Sequence, residues 1–379
     1  MSAPAWARGY DVDDLRATAD IFRRHDKGLT LGAFTRVDEA RVAAWHDAGE
    51  VEVWGDYFAA IAWRHVRKRE ALLDFAGEVA GICQPGDRVV WRFAGPPEEA
   101  ATMLLVLAEE AKGLVWASAW QESPADMATM ISVGWAWQGT KVRSSSELVG
   151  IYASDGSPAR LRPRDWPALA RLSLPRLDVA PLARRLFAAP PAWEDHYSSY
   201  NLRNSWSAVA LRGYGASPGF IEKPVEMSKK WKAANAEKLA WKLGDTAARA
   251  WYQEAEPLIA AIPGEKHRIR LMRLEPGGGE LARHADITDP DAGTRDGKLM
   301  RIHIPVVTND GVRFEGWQLD GSRAAANMAP GEAWYLDTRK PHTARNDGVG
   351  ERVHLVMDVE ASSALWELLG VSSQAERLF

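Results

Sequence analysis

The chain has 379 residues, 46% of them apolar, and a formal net charge of -4, which is length enough for two globular cores. A net negative field points away from nucleic acid or an anionic membrane as a bulk partner, although a local basic groove is not excluded. The single cysteine, Cys83, excludes an intramolecular disulfide framework and fits a reducing cytoplasm; the opening Met1-Ser2-Ala3-Pro4-Ala5-Trp6 runs into acidic Asp11-Val12-Asp13-Asp14 rather than an apolar leader, and no membrane-length apolar run of about 18 residues occurs.

In chain order, residues 13–24 read as a helix with an acidic first turn, and 42–48 as another. Residues 51–63 alternate as a strand interrupted at Gly55-Asp56. Strands at 87–92 and 114–120 flank an apolar helix at 97–112. A helix at 125–133 leads through Gly134-Trp135-Ala136-Trp137 and Gly139-Thr140-Lys141 to a closing strand at 148–152. This alternation predicts an α/β layer domain over residues 1–157. Its tail, residues 130–152, resembles the end of the GNAT acetyltransferase fold, in which a helix precedes a Gly-aromatic turn and a closing strand. Acetyl-CoA would need a Gly-rich turn whose amides face the pyrophosphate at a helix start. Phe93-Ala94-Gly95-Pro96-Pro97-Glu98-Glu99 opposes that with two prolines and two acids, so this half reads as a non-catalytic domain for recognition or dimerisation.

Ser154-Asp155-Gly156-Ser157-Pro158 marks a hinge, and Pro163, Pro167, Pro175, Pro181, Pro190 and Pro191 punctuate the entry to the second domain. In that domain, residues 158–379, a short helix is expected at 182–189, a first barrel strand at 197–215, and flanking helices at 227–241 and 246–262. Asn201, Arg203, Asn204, Ser205 and Arg212 are candidates for the substrate entrance. Short apolar or alternating runs at 267–274, 299–307, 332–336 and 352–359 are bounded by turns such as Pro276-Gly277-Gly278-Gly279, Asn309-Asp310-Gly311 and Asn346-Asp347-Gly348. Strands so spaced predict a double-sheet jelly-roll or cupin barrel with flanking helices. The whole chain is thus expected to be α+β.

His284-Ala285-Asp286 and the distant His342 supply two imidazoles and one carboxylate, the ligand set of the facial triad that holds ferrous iron and leaves three positions open. In a strand, residues i and i+2 share a face, so His284 and Asp286 can meet one ion while Ala285 turns away. Arg352 heads a largely apolar run and is expected to face inward with His354 and Val356, where a buried arginine requires an anion. Arg301 and His303 alternate with Ile302 and Ile304 and so share a face.

With these residues in view, the stretch 268–359 resembles the iron(II)/2-oxoglutarate-dependent dioxygenases, most of all the group of aspartyl/asparaginyl β-hydroxylases and bacterial proline cis-hydroxylases. The resemblance rests on His284-Ala285-Asp286, Arg301-Ile302-His303-Ile304-Pro305, Gly331-Glu332-Ala333-Trp334-Tyr335, His342 and Arg352. It implies iron(II) on His284, Asp286 and His342, the far carboxylate of 2-oxoglutarate on Arg352, and Arg301 and His303 near the cosubstrate's C1 carboxylate or the substrate. Trp334 is expected beside the cosubstrate. The carboxylate ligand Asp286, missing from some β-hydroxylases, favours the proline-hydroxylase side of the group. Dioxygen and 2-oxoglutarate would then be consumed in hydroxylating a C–H bond of an amino acid, peptide or protein side chain. Two alternatives stay open, a non-redox metal cupin and a bifunctional enzyme whose N-terminal domain transfers an acyl group. The sequence is silent on oligomeric state.

Overall fold

Period-two alternation becomes strands close to where the sequence places them, and the strands sort into three sheets. The computed structural model describes residues 39–49, 51–54, 58–62, 86–92, 97–142, 146–154, 167–215, 217–286 and 299–370. The helix expected at 13–24, the turn 93–96 and the hinge beyond residue 154 lie outside these residues. Two units emerge, Met1–Asp165 with Leu319–Gly321, and Trp166–Gln318 with Ser322–Phe379.

The first unit carries β1 (Val51–Trp54), β2 (Phe58–Ala62), β3 (Arg88–Arg92), β4 (Val115–Trp120), β5 (Ala136–Val142) and β6 (Leu148–Ala153), in the sheet order β1-β2-β3-β4-β6-β5. The run expected as one strand at 51–63 is two strands, paired antiparallel. β3 and β4 are parallel, and the helix Pro97–Glu110 makes the crossover. Ala100, Met103, Leu104 and Leu107 recur at helical spacing and pack on Val115, Ala117 and Ala119. Glu98 and Glu99 occupy its first turn, where they complement the helix dipole and would repel a pyrophosphate. The helix Pro124–Val133 starts with a Ser123 cap and ends at Gly134 in the left-handed conformation. Of the stretch 134–141, read as leading through a Gly-aromatic turn, residues 136–141 instead enter β5, which pairs with β6 through a register shift between Trp137 and Gly139.

The second unit holds β7 (Leu169–Arg171), β8 (Glu194–Asp195), β9 (Asn201–Leu202), β10 (Trp206–Tyr214) and β11 (Leu243–Asp245). Eight further strands complete it: β12 (Lys266–Leu274), β13 (Gly279–His284), β14 (Leu299–Val307), β15 (Val312–Trp317), β16 (Arg323–Ala326), β17 (Trp334–Leu336), β18 (His342–Asn346) and β19 (Arg352–Glu360). The larger sheet runs β11-β10-β12-β19-β14-β17-β7, with β8 on β10, and the smaller runs β16-β15-β18-β13-β9. From β12 to β19 the chain shuttles between them, giving a double-stranded β-helix of the jelly-roll kind. The strand expected at 197–215 to begin the barrel is two strands, β9, which pairs with β13 in the smaller sheet, and β10, which extends the larger sheet outside β12. The helices expected at 227–241 and 246–262 are broken into short pieces: Lys229–Ala234, Ala236–Ala240, Ala247–Trp251, Gln253–Ala255 and Glu256–Ala260.

Alternation gives the larger sheet two unlike buried faces. Its outer face presents Ile269 and Leu271 of β12, Met300, Ile302 and Ile304 of β14, and Val353, Leu355 and Met357 of β19. These pack with Leu182 and Leu186 of the helix Ala180–Ala188 and with Leu258, Ile259, Leu365 and Trp366. Burying each large apolar side chain contributes about 1.5–3 kcal/mol. The alternate residues of the same strands, Arg268, Arg270, His303, Arg352, His354 and Asp358, are also buried, and Arg301 is partly buried. Leu355→Ala should lower the unfolding free energy by about 2–5 kcal/mol through the cavity it leaves. Urea unfolding checks this, and a loss below about 1 kcal/mol would show that the outer face is not the main core.

Candidate metal and cosubstrate site

β13 and β18 run antiparallel with His284 directly opposite His342, so the two rings lie 4.2 Å apart between centroids. β13 ends at His284; Asp286 lies just beyond, its backbone N–H donating to Thr338 O at 2.6 Å. The strand expected to carry all of His284-Ala285-Asp286 thus stops one step into it. Even so, donor atoms of His284, Asp286 and His342 all lie within 4.8 Å of one another, and His284 Nε2 is 3.6 Å from Asp286 Oδ1.

Ring orientation is set from behind. His284 Nδ1 meets Ala282 O at 2.8 Å and His342 Nδ1 meets Lys340 O at 2.9 Å. A carbonyl only accepts, so Nδ1 carries the proton in each ring and Nε2 is left with a lone pair. Burial holds both imidazoles toward the neutral form that a metal ligand needs, with the His342 pKa brought down to about 3 by burial and by neighbouring His284. Tyr200 stacks on His284 at 4.4 Å and fixes the ring further. Burial would push the Asp286 carboxyl up, but Arg301, His284 and His342 outweigh it and hold the group well below the usual carboxylate range. Two neutral imidazoles and one carboxylate, all with lone pairs free to converge, fit a divalent transition metal such as iron(II).

The three donors lie on the wall of a cavity of about 430 Å³ whose lining also includes Arg268, Arg270, Arg301, His303, Phe314 and Arg352. Arg301 Nη1 donates to Asp286 Oδ2 at 2.7 Å and its Nε to Asp358 Oδ1 at 2.7 Å. It sits opposite Asp358 across β14 and β19, so the pairing is a product of register. Arg268 Nε and Arg270 Nη2 donate to the other oxygen, Asp358 Oδ2, at 2.8 and 3.2 Å. Burial raises and the three arginines lower the Asp358 pKa, and the arginines win.

Arg352 is different. It is 3% exposed, its Nη2 contacts His354 Nδ1 at 2.9 Å, its Nε has no partner, and no carboxylate among the described residues pairs with it. Burial alone pulls its pKa down to about 9, as expected of a guanidinium that lacks a counter-charge. His303 and His354 beside it are fully buried and driven toward the neutral form by burial and by Arg352.

The structure therefore gathers His284, Asp286, His342, Arg301, His303 and Arg352 around one cavity. Trp334 is not brought to it. It lies opposite His303 in register, packs against the inner apolar cluster, and donates its indole N–H to Glu332 at 3.0 Å. Nor do the expected entrance residues line it. Asn201 Nδ2 donates to His196 O and Trp206 O, and its Oδ1 accepts from Trp206 N. Ser205 bonds Leu202 O, Arg203 and Asn204 form a left-handed turn, and Arg212 pairs with Asp245. Asn201 to Ser205 anchor the turn after residues 196–200, and it is these neighbours, His196 to Tyr200, that reach the cavity. Arg268, Arg270 and Asp358 went unread in the sequence. Their signal was available, because His267-Arg268-Ile269-Arg270-Leu271 alternates as strictly as the strand around Arg301.

An eight-stranded double-stranded β-helix with a two-histidine, one-carboxylate cluster and a buried, unpaired arginine defines the class of iron(II)- and 2-oxoglutarate-dependent oxygenases. Residues 184–362 match the family model described as Aspartyl/Asparaginyl beta-hydroxylase. Solved structures to which the chain is similar include a prolyl-4-hydroxylase from Pseudomonas putida, at 12% identity over 52% of this chain and 94% of that one, with a TM-score of 0.29. Another is a prolyl hydroxylase of Trichoplax adhaerens in complex with a hypoxia inducible factor peptide fragment, at 8% identity over 52% and 84%, with a TM-score of 0.30. A third is the epimerase SnoN with Fe3+, alpha ketoglutarate and nogalamycin RO, at 14% identity over 53% and 80%, with a TM-score of 0.31.

Asp358 offers a test of the charge network. Its folded pKa lies below its unfolded value, so its stabilising contribution is complete above about pH 4 and is lost as pH falls through the folded pKa. Asp358→Asn should cost about 3–5 kcal/mol at neutral pH, because three guanidinium groups lose their carboxylate, and should lose less stability than wild type on acidification. Urea midpoints measured from pH 7 to 3 check this; parallel curves for the two proteins would remove Asp358 from the network's role.

Proposed function

We propose that His284, Asp286 and His342 hold iron(II) and that Arg352 seats the C5 carboxylate of 2-oxoglutarate, in an oxygenase that hydroxylates a C–H bond of an amino acid, peptide or protein side chain. The observation that carries this reading is the donor cluster within 4.8 Å, combined with a buried guanidinium that has no acid of its own. When bound, the iron and 2-oxoglutarate supply oxidation by dioxygen, with the cosubstrate converted to succinate and carbon dioxide.

The residues of the chain bind, orient and exclude water. Arg301 holds Asp286 Oδ2 and so presents Oδ1 on the side of His284. Arg352 offers a planar fork that matches a carboxylate in a bidentate, charge-assisted pair. The neutral His303 and His354 keep a second cation away from Arg352 and offer polar ring atoms beside it. Phe314, Met272, Leu281, Leu336 and Trp206 supply the apolar part of the cavity wall and limit water there. Arg352 also separates this reading from a non-redox cupin, which has no need of a dicarboxylate anchor.

The division at residues 157–158 is retained as a boundary, with residues 1–157 in a recognition or dimerisation role. A cytoplasmic setting is consistent with the single cysteine. No helix among the described residues is long and apolar enough to cross a membrane.

Anaerobic titration with iron(II) and 2-oxoglutarate tests the assignment through the weak visible absorption of the metal chelate. The band should form in wild type and vanish in His284→Ala; an unchanged band in that variant removes His284 from the ligand set. Arg352→Leu should raise the 2-oxoglutarate requirement for succinate formation more than about 100-fold, since an unpaired buried carboxylate costs roughly 3–5 kcal/mol. Wild-type succinate formation by this variant at limiting cosubstrate would refute the anchor.

A further inference from the structure

Arg352 and His354 stand two residues apart on β19 and share a face of the larger sheet, with Arg352 Nη2 and His354 Nδ1 at 2.9 Å. A guanidinium only donates, so the imidazole accepts with Nδ1 and carries its own proton on Nε2. That is the reverse of the tautomer held in His284 and His342 by the carbonyls behind them. His354 is fully buried, and its Nε2 has no hydrogen-bond partner among the described residues. An orphaned buried donor costs stability. His354 thus keeps its proton where nothing receives it and its lone pair where Arg352 meets it.

His303 approaches the same atom from β14, its Nδ1 3.5 Å from His354 Nδ1 with the two rings edge to face. Two lone pairs would repel there, so His303 carries its proton on Nδ1 and directs it at the acceptor that Arg352 uses. In register, His354 stands between Met272 of β12 and Pro305 of β14. Neither is ionisable, and the neutral ring is the polar group that the sheet sets beside Arg352. Phe314 covers the guanidinium, with Cζ 5.8 Å from the ring centre. Arg352, His303 and Phe314 line the cavity, whereas His354 does not. Any effect of His354 on a ligand therefore passes through Arg352.

A guanidinium grips a carboxylate along one of two edges, Nε with Nη2 or Nη1 with Nη2, and each edge uses one of the two Nη2 hydrogens. With one of these given to His354, a single edge is left. We propose that His354 is a positioning residue for the cosubstrate anchor: as the Nε2–H tautomer it takes one Nη2 hydrogen of Arg352 and so fixes the edge that the guanidinium offers to the cavity. This rests on Arg352 as the seat of the far carboxylate of 2-oxoglutarate. It goes beyond that seat by making the discrimination of a diacid from a monoacid depend on a buried residue that touches neither. A fork already held on one side loses less freedom when a carboxylate arrives.

Calorimetry on the full chain, loaded anaerobically with iron(II), compares 2-oxoglutarate with 2-oxopentanoate, which has the same carbon chain and no far carboxylate. Wild type should bind the diacid more than about 100-fold tighter. His354→Leu removes the acceptor at similar side-chain volume. It should weaken 2-oxoglutarate about 10-fold, the scale of one hydrogen bond to a charged group, and change the affinities for 2-oxopentanoate and iron(II) less than about threefold. His354→Asn should bind 2-oxoglutarate within about threefold of wild type, because its Oδ1 stands where Nδ1 stood. His354→Gln, whose amide reaches the Nε2 position instead, should behave as His354→Leu does. A merely structural role would weaken both acids together, and that result overturns the proposal, as does unchanged discrimination in His354→Leu. Where His354→Leu fails to fold, the other two variants decide: equal 2-oxoglutarate affinities in His354→Asn and His354→Gln overturn it as well. If wild type itself does not prefer the diacid, the Arg352 anchor falls first, and the role of His354 with it.

Discussion

One guanidinium ties the centre of this site to its wall. Arg301 donates to Asp286 on one side and to Asp358 on the other, so the carboxylate beside the two histidines is oriented by a residue whose own charge is balanced from an adjacent strand. Without Asp358, Arg301 would lose the carboxylate that its Nε meets, and without Arg301 the Asp286 carboxylate would be free to rotate or to protonate as burial favours. The pairing is a consequence of register, because Arg301 and Asp358 face each other across β14 and β19. A one-residue slip would turn both to the opposite face and dismantle the site.

The larger sheet makes this possible by separating its two tasks. Its outer face is an apolar core under short helices, and that burial offsets the cost of a charged inner face. The inner face carries the arginines, the buried histidines and Asp358, while the smaller sheet brings His284 and His342 into register. Stability is thus concentrated on one side of strands β12, β14 and β19, and chemistry on the other.

Much of the site was legible because short-range rules governed it. His284 and Asp286 are two residues apart near a strand end, and the inward phase of Arg352, His354 and Val356 came from simple alternation. Arg268 and Arg270 obeyed the same rule without standing out, since nothing local says that a strand with arginines on one face and isoleucine and leucine on the other is buried on both. Trp334 went the other way: its place in a matching motif suggested the cosubstrate, whereas the Glu332 carboxylate and the inner apolar cluster hold it away from the cavity. Asn201 and its neighbours were polar for the sake of a turn, a use that composition does not distinguish from substrate contact.

By itself, the sequence determined the donor set, the strand phases and the two-part organisation, because ligand chemistry and period-two patterning are properties of residues a few positions apart. Only the tertiary structure decided which charges meet. Asp358 lies 57 residues from Arg301 and 90 from Arg268, and such partnerships depend on strand order and register, which loop closure and core packing settle together over the whole domain.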